Sequence, residues 1–374
     1  MLIDNDLFAT LQLIRSKNLG KATFYKLREK YGDSGAIVKN FLAIKNDCNL
    51  KSIELADPKI IEEEIKAVQK IGAEIITLDN KNYPNIFHEL ENLSPILTIL
   101  GNKELLNKDS LAIVGARNAS ASAYRFTYNI AKDLAKEFTV VSGLARGIDT
   151  AAHNGALESG TTIAVTACGI DIVYPKENED LYFKIRNKGL IVTEMPFNSA
   201  PIAQNFPRRN EIISGLALGI VVIEAGLKSG SLITADIGLK QNKDIFAVPG
   251  SPMDPRCLGS NSLIKQGAYL VEKADDIMEI MGLKNIQINN FSGSIANDSV
   301  KAKAAKANCS GNLHDYNVNN IEGEIIRKLN ATPIDINEII TQTDLPADKI
   351  LSIILKLELD GVIRRYSGNK VALI

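Results

Sequence analysis

Apolar residues in the middle of the chain come in short unbroken runs rather than in alternation with polar ones. From about residue 110 these runs are LAIVGA, TVVSG, TTIAVTA, LIVTEM, GIVVIEA, DIFAVPG and AYLV. Helices are expected after them, over 121–137, 149–159, 178–188, 205–216, 230–241, 260–266 and 274–281. A strand apolar on both faces belongs in a parallel sheet with helices on each side. Strand and helix in succession make a βαβ series. The expected fold class is therefore α/β, a Rossmann-like, doubly wound, mostly parallel sheet. A helix over 58–71 and a strand over 73–78 (AEIITL) lead into it, so this domain is placed at 71–283.

The flanks follow other patterns. Leu7, Leu11 and Ile14 fall at helical spacing, Asn18-Leu19-Gly20 interrupts them, and Phe24, Leu27 and Tyr31 resume the period. Residues 1–70 read as a small helical module of the SAM or helix-hairpin-helix kind. Its string NLGKATFYKLREKYG is either a hairpin offering backbone N–H groups to a phosphate or a plain packing unit. Residues 284–318, rich in Asn, Ser, Gly, Ala and Lys, read as a flexible linker. Over 319–374, EGEIIRKLN, IDINEIITQT and ADKILSIILKLELDGVIRR are three helical patterns. VIRRYSGNKVALI follows as a hairpin turning at Ser367-Gly368-Asn369. Three helices and a hairpin outline a winged helix.

Composition narrows the function classes. Lys and Arg number 43 against 44 Asp and Glu, a formal net charge of −1, so any nucleic-acid site must be a local basic pocket. Cys48, Cys168, Cys257 and Cys309 are scattered without CxxC spacing, which argues against a disulfide framework or a zinc site and suits a reducing compartment. The histidines at 88, 153 and 314 lack ligand spacing, so no metal is expected. The first residues make a poor signal peptide and no apolar run reaches membrane-spanning length. The expected location is the cytoplasm.

Doubly wound sheets bind ligands beyond the carboxyl ends of their strands. Four loops there carry glycines and basic residues. IVGARNAS offers Gly115 for close backbone approach and Arg117 as a fork of donors. VVSGLARGIDTAAH brings Ser142, Gly143, Arg146 and Gly147 ahead of a helix. ACGIDIVYPKEN holds Lys176, and APIAQNFPRRNEIISG holds Phe206, Arg208, Arg209 and Asn210. One such loop reads as ordinary turn chemistry. Four on one edge read as a composite anion site.

Catalysis finds less support. There is no GxxxxGK[ST], and VGARNAS lacks GxGxxG, so neither ATP hydrolysis nor a nicotinamide cofactor is expected. Asp149 and His153 lie at i and i+4, but no nucleophile accompanies them; an N-cap and a packed histidine is the plainer reading. Glu224 is the best carboxylate for an enzymatic role, and its plainer reading is an acceptor for the N–H groups of the SGSLITA turn. No catalytic residue is assigned.

Six segments are specific when taken together: LAIVGARNAS, VVSGLARGIDTAAHNGAL, CGIDIVYPKEN, FPRRNEIISGLALG, VVIEAGLKSGSLITADIGLKQNKDIFAVPG and GSNSLIKQGAYLV. Over about residues 80–280 they resemble the DNA-processing protein A (DprA/Smf) family in its order and spacing. The resemblance implies a cofactor-free, non-enzymatic protein that binds single-stranded DNA. Such a protein protects incoming DNA and loads the RecA recombinase in natural transformation and homologous recombination, as a homodimer through the Rossmann-like domain. It implies a phosphate pocket of Arg117 beside Gly115, Lys176, and Arg209-Asn210 with Arg208, lined by Ser142, Gly143, Arg146 and Gly147. Phe206 is either a base-stacking platform or a loop anchor beside Pro207. One position departs: the family reads FPxRNRII, and here Glu211 replaces the basic residue, so it points away or pairs with Arg208 or Arg209. Two other readings remain. One is a nucleotide-processing, phosphoribohydrolase-like enzyme using Glu224. The other has the winged helix, with Arg364, Arg365 and Lys370, as the DNA-binding element.

Overall fold

The computed structural model describes residues 5–282 apart from 49, 51 and 92, and then 325, 329, 333–341, 346–360, 362–366 and 370–373. The chain forms two compact units, Met1–Ser292 and Gly293–Ile374. The expected linker over 284–318, most of the EGEIIRKLN helix and the turn at 367–369 lie outside the described residues.

Five helices open the first unit: α1 (Asn5–Arg15), α2 (Lys21–Tyr31), α3 (Ser34–Lys39), α4 (Phe41–Asp47) and α5 (Pro58–Lys70). Leu13, Phe24, Leu27, Ile37, Phe41 and Ile44 pack as the shared core of α1–α4, while Ile61, Ile65 and Val68 of α5 pack in the cluster that reaches the sheet. Helices α3 and α4 are short and were not expected from the spacing. Helix α5 begins as its sequence dictates: Asp57 accepts the Lys59 N–H at 2.9 Å and Pro58 occupies the first turn. The module is fastened to the sheet through Leu11, which shares a core with Ile75, Ile96 and Ile191.

The sheet follows: β1 (Glu74–Thr77), β2 (Ile96–Gly101), β3 (Ser110–Gly115), α6 (Ala121–Leu134), β4 (Thr139–Ser142), α7 (Ile148–Ser159), β5 (Thr162–Val165), α8 (Glu179–Lys188), β6 (Leu190–Thr193), α9 (Asn205–Leu216), β7 (Gly219–Ile223), α10 (Gly230–Lys240), β8 (Asp244–Ala247), α11 (Leu258–Lys265), β9 (Tyr269–Leu270) and α12 (Ala274–Ile280). The nine strands lie in the order β1-β2-β6-β5-β4-β3-β7-β8-β9. From β6 to β9 every pairing is parallel, while β2 runs antiparallel to both β1 and β6. Strand β2 was not anticipated, because it stands outside the strand-helix succession that revealed the others.

Strand periodicity explains the two buried faces. Ala112 and Val114 of β3 point to one side, with Ile212 and Ile213 of α9. Leu111 and Ile113 point to the other, with Ile130 and Leu134 of α6. The chain runs outward from β3 to β6, then returns through α9 to β7 on the opposite flank of β3. That reversal makes the carboxyl ends of β3 and β7 a topological switch point, where such sheets open a crevice.

In the second unit, helices Ile336–Thr341 and Ala347–Leu359 pack Ile336, Ile339, Ile350, Ile354 and Leu357 against Ile363 and Val371. Strands Ile363–Tyr366 and Lys370–Leu373 pair antiparallel, and Ile334–Asp335 adds a third strand. The helical pattern read from IDINEIITQT therefore starts as strand and turns helical at Ile336.

Candidate functional site

At the switch point lies a cleft of about 320 Å³, lined by Gly115 at the end of β3 and Arg117 after it, Ala145 and Asp149 after β4, Phe206, Arg209 and Asn210 of α9, and Ser229, Gly230, Ser231, Ile233 and Thr234 at the start of α10. A smaller hollow of about 30 Å³ shares Arg117, Ala145, Phe206 and Arg209, and adds Gly143, Arg146, Tyr174 and Pro175. Phe206 has two guanidinium groups within cation–π reach, Arg117 Cζ at 5.2 Å and Arg209 Cζ at 5.7 Å from its ring centre. The Tyr174 ring meets it edge-on at 6.1 Å. Cations over an aromatic face are held by its quadrupole, so both guanidinium groups are pre-positioned.

Arg209 is buried, which a basic residue in FPRRN does not announce. Its Nη1 lies 3.9 Å from Asp149 Oδ2, and its Nε finds no hydrogen-bond partner among the described residues. Burial pushes the Arg209 guanidinium down, with Asp149 opposing the shift, and pushes the Asp149 carboxyl up, with Arg209 opposing it. A buried guanidinium with an unused donor has capacity for an anion.

Asp149 is not an N-cap. It sits one residue inside α7, and its Oδ2 accepts the Gly143 and Ala145 N–H groups at 3.2 Å each. His153 one turn later accepts the Leu144 N–H on Nε2 at 3.3 Å, while its Nδ1 faces Thr162 Oγ1 at 2.7 Å. Thr162 donates to the Val140 carbonyl, so Nδ1 carries the proton. Burial, aided by Arg209, lowers the imidazole pKa to about 3. The pair thus fixes the 143–146 loop, in which Leu144 adopts a left-handed backbone with φ 57°.

The remaining expected residues divide. Ser142 is buried and donates to the Ile113 carbonyl, so its hydroxyl is spent on the sheet. Gly147 caps α7, whose next N–H donates to the Ala116 carbonyl, joining the first two loops. Lys176 is exposed and lines neither hollow, although Asn178 two residues on ties its turn to the Leu144 carbonyl at 2.9 Å. Arg208 turns away from the cleft and donates from Nε to Glu194 Oε1 at 2.7 Å. Glu211 pairs with neither arginine; Lys21 of the N-terminal module holds it at 2.6 Å. Glu224 accepts the Ser120 N–H at 2.8 Å and its hydroxyl at 2.5 Å, anchoring the start of α6 rather than the 226–231 turn. Tyr174 and the α10 start (Ser229, Gly230, Ser231, Ile233 and Thr234) were missed as site residues; for the second, the signal was the GLKSGS turn following the strand beside β3.

Comparison with known proteins agrees with this architecture. Residues 74–282 match the family described as DNA recombination-mediator protein A, residues 317–369 the DprA winged helix domain, and residues 4–67 the DprA-like N-terminal HHH domain. DNA processing protein DprA of Streptococcus pneumoniae is 40% identical over 197 residues, 52% of this chain and 70% of that protein. Protein Smf of Escherichia coli K12 is 32% identical over 323 residues, 84% of this chain and 81% of that protein. The X-ray structure of the Streptococcus pneumoniae protein superposes with a TM-score of 0.62 at 29% identity, covering 75% of this chain and 98% of that one. A structure of the Helicobacter pylori protein, described by its single-stranded DNA binding mode, gives a TM-score of 0.52 at 30% identity over 57% of this chain and 97% of that one. The family match spans more than half of the sequence and the relatives align over most of their length, so the chain belongs to the DprA/Smf family.

Proposed function

We propose that this chain binds single-stranded DNA in the switch-point cleft. As a cytoplasmic homodimer without turnover, it protects incoming strands and hands them to the RecA recombinase in transformation and homologous recombination. The observation that carries the reading is Phe206 with Arg117 and Arg209 both within cation–π reach, over a cleft rimmed by helix N-termini. Arg117 and Arg209 engage phosphate by paired N–H donors, the α7 and α10 starts add backbone N–H groups, and Phe206 stacks a base. Arg146 and Lys176 lie on the exposed rim and draw the backbone in. Asn210 lies on the same wall, Gly143 makes room for the Arg209 guanidinium, and Gly115 lets β3 and β7 close up beneath the cleft.

Absence of turnover is supported by how the reactive groups are used. Ser142 serves the sheet, His153 has both nitrogens engaged, and Glu224 is bonded to Ser120. No observation favours the nucleotide-processing alternative.

The test is titration of labelled oligo-dT at several salt concentrations. Arg117→Ala and Lys176→Ala each weaken binding alike for every base sequence. Parent-like affinity in both, at low and moderate salt, refutes the pocket. A triple change of Arg364, Arg365 and Lys370 to Ala leaves affinity within about twofold; a larger loss transfers the site to the winged helix.

A further inference from the structure

Behind the cleft, four charged side chains from three distant stretches of sequence meet. Glu194, just past β6, is nearly fully buried, with its side chain 2% exposed. Its Oε1 takes the Arg208 Nε–H. Its Oε2 accepts no hydrogen bond among the described residues, and Lys21 Nζ stands 3.8 Å away as its ion-pair partner. The same Nζ donates to Glu211 Oε2 at 2.6 Å. Arg208 and Glu211 are one turn apart on α9, the helix that carries Phe206, Arg209 and Asn210 into the cleft. Lys21 is the first residue of α2, and Arg15 at the end of α1 reaches the Glu194 carbonyl at 3.2 Å while forking onto Glu64.

Both ends of this contact belong to the first unit. The start of α2, with its unsatisfied N–H groups and a lysine, is the hairpin that the sequence offers as a phosphate grip. Here it grips two carboxylates instead. Lys21 and Arg208 together balance Glu194 and Glu211. Without Lys21 the cluster keeps one excess negative charge, part of it on a buried oxygen, beside the helix that must receive an anion. A buried carboxylate that loses one of its two cations forces rearrangement around the other, here Arg208 on α9, and an uncancelled Glu211 repels phosphate.

We propose that Lys21 is a positioning residue for the anion cleft: from outside it, the N-terminal module sets the seat of α9 and cancels the Glu194–Glu211 charge. This rests on the single-stranded DNA reading above.

The experiment uses the full chain with Lys21→Glu, Glu211→Lys, the double swap, and Arg117→Ala alongside. Oligo-dT titrations give affinity and its salt slope, and hydrogen exchange without DNA follows the amides of 205–216. Lys21→Glu weakens binding by about tenfold, the scale on which neighbouring charges couple. Its salt slope stays that of the parent, because Lys21 touches no phosphate, whereas Arg117→Ala lowers the slope by about 0.7. Exchange across α9 speeds up in Lys21→Glu, and the double swap restores both affinity and protection. Parent-like affinity in Lys21→Glu while Arg117→Ala binds weakly overturns the proposal. So does a slope lowered as in Arg117→Ala, or a double swap no better than Lys21→Glu. If neither the parent nor any variant binds oligo-dT, the functional reading has failed, and exchange decides alone: unchanged α9 protection in Lys21→Glu then overturns the positioning role.

Discussion

Gly143→Ala and Gly115→Ala add the same methyl group at one sheet edge, yet they are expected to fail in different ways. At Gly143 the three atoms nearest an added Cβ all belong to the Arg209 guanidinium, with Nη1 at 1.5 Å and Cζ at 2.3 Å. At Gly115 the nearest is the Ile223 carbonyl oxygen at 1.9 Å, followed by the Ile148 side chain at 2.6 Å. Comfortable carbon contacts begin near 3.5 Å, so each neighbour must retreat by roughly 2 Å. A guanidinium tip can do so by turning its side chain. The Ile223 carbonyl cannot, because β3 and β7 are paired in register at Gly115 and Ile223.

Gly115→Ala should therefore cost stability, about 1–3 kcal/mol for overpacking a rigid site. Gly143→Ala should instead displace Arg209 from its place over Gly143. Losing one charge-assisted contact to the bound anion is worth ~1.5–3 kcal/mol, or about ten- to a hundredfold in Kd. Urea unfolding and oligo-dT titration of both variants separate the two effects. Gly115→Ala loses stability while the folded fraction still binds. Gly143→Ala loses binding in the folded fraction, along with the stability that the Arg209–Asp149 pair supplies. Binding by Gly143→Ala within twofold of the parent would refute the argument, since Arg209 would then stand outside the anion site.

Other outcomes follow from the same geometry. If Arg117, Arg209, Arg146 and Lys176 supply the phosphate contacts, the slope of log K against log salt for a single strand is about −3 per chain; a slope clearly steeper than about −4 brings in cations beyond the cleft. His153 titrates near 3 when folded and near 6.5 when unfolded, so the unfolded chain binds the extra proton between those values. Stability then falls as pH drops below about 6, by up to ~1.4 kcal/mol per pH unit, and His153→Gln should flatten that fall in urea melts at pH 7, 6 and 5. The chain has no tryptophan. Phe206→Trp thus creates a single cleft fluorophore whose emission should be quenched by oligo-dT and not by free phosphate, whereas equal spectra with and without oligo-dT would remove the stacking role. Glu224→Ala frees Ser120 at the start of α6 and should cost ~1–2 kcal/mol of unfolding free energy; an unchanged melt would show that the anchor is idle.

The sheet was legible because its central strands are buried on both faces. LAIVG and GIVVI, with nearly every side chain inside, read as apolar runs and cannot be mistaken for amphipathic strands. Helix α9 was expected over 205–216 and lies at Asn205–Leu216. Strand β2 was hidden because an antiparallel strand before the first crossover leaves no repeat to follow. The four loops were legible as a set, for topology alone brings them to one edge. What each side chain does there was not. Arg209 is drawn inward by the missing Cβ of Gly143 and by Asp149, about 60 residues away in sequence. Glu211 finds Lys21 across 190 residues. Local composition carries no trace of such partners, which is why Arg208 and Arg209 looked alike and turned out opposite.

A nearly neutral chain can hold an anion site because its cleft cations divide into two kinds. Arg209 in the cleft, like Arg208 behind it, is matched by a buried carboxylate, Asp149 and Glu194 respectively, and neither can leave without stripping that carboxylate of its partner. They are fixed in place before any ligand arrives, which lowers the ordering cost of binding. Arg146 pairs with Glu177 at 3.7 Å, with both side chains more than half exposed, and such a pair exchanges for phosphate at little cost. Arg117 and Lys176 have no ion-pair partner among the described residues. Geometry in the cleft therefore comes from the fixed Arg209, while most of the net attraction and salt dependence comes from the exposed cations. Removing Arg117 lowers the salt slope, which places it among the residues that charge the cleft rather than those that shape it.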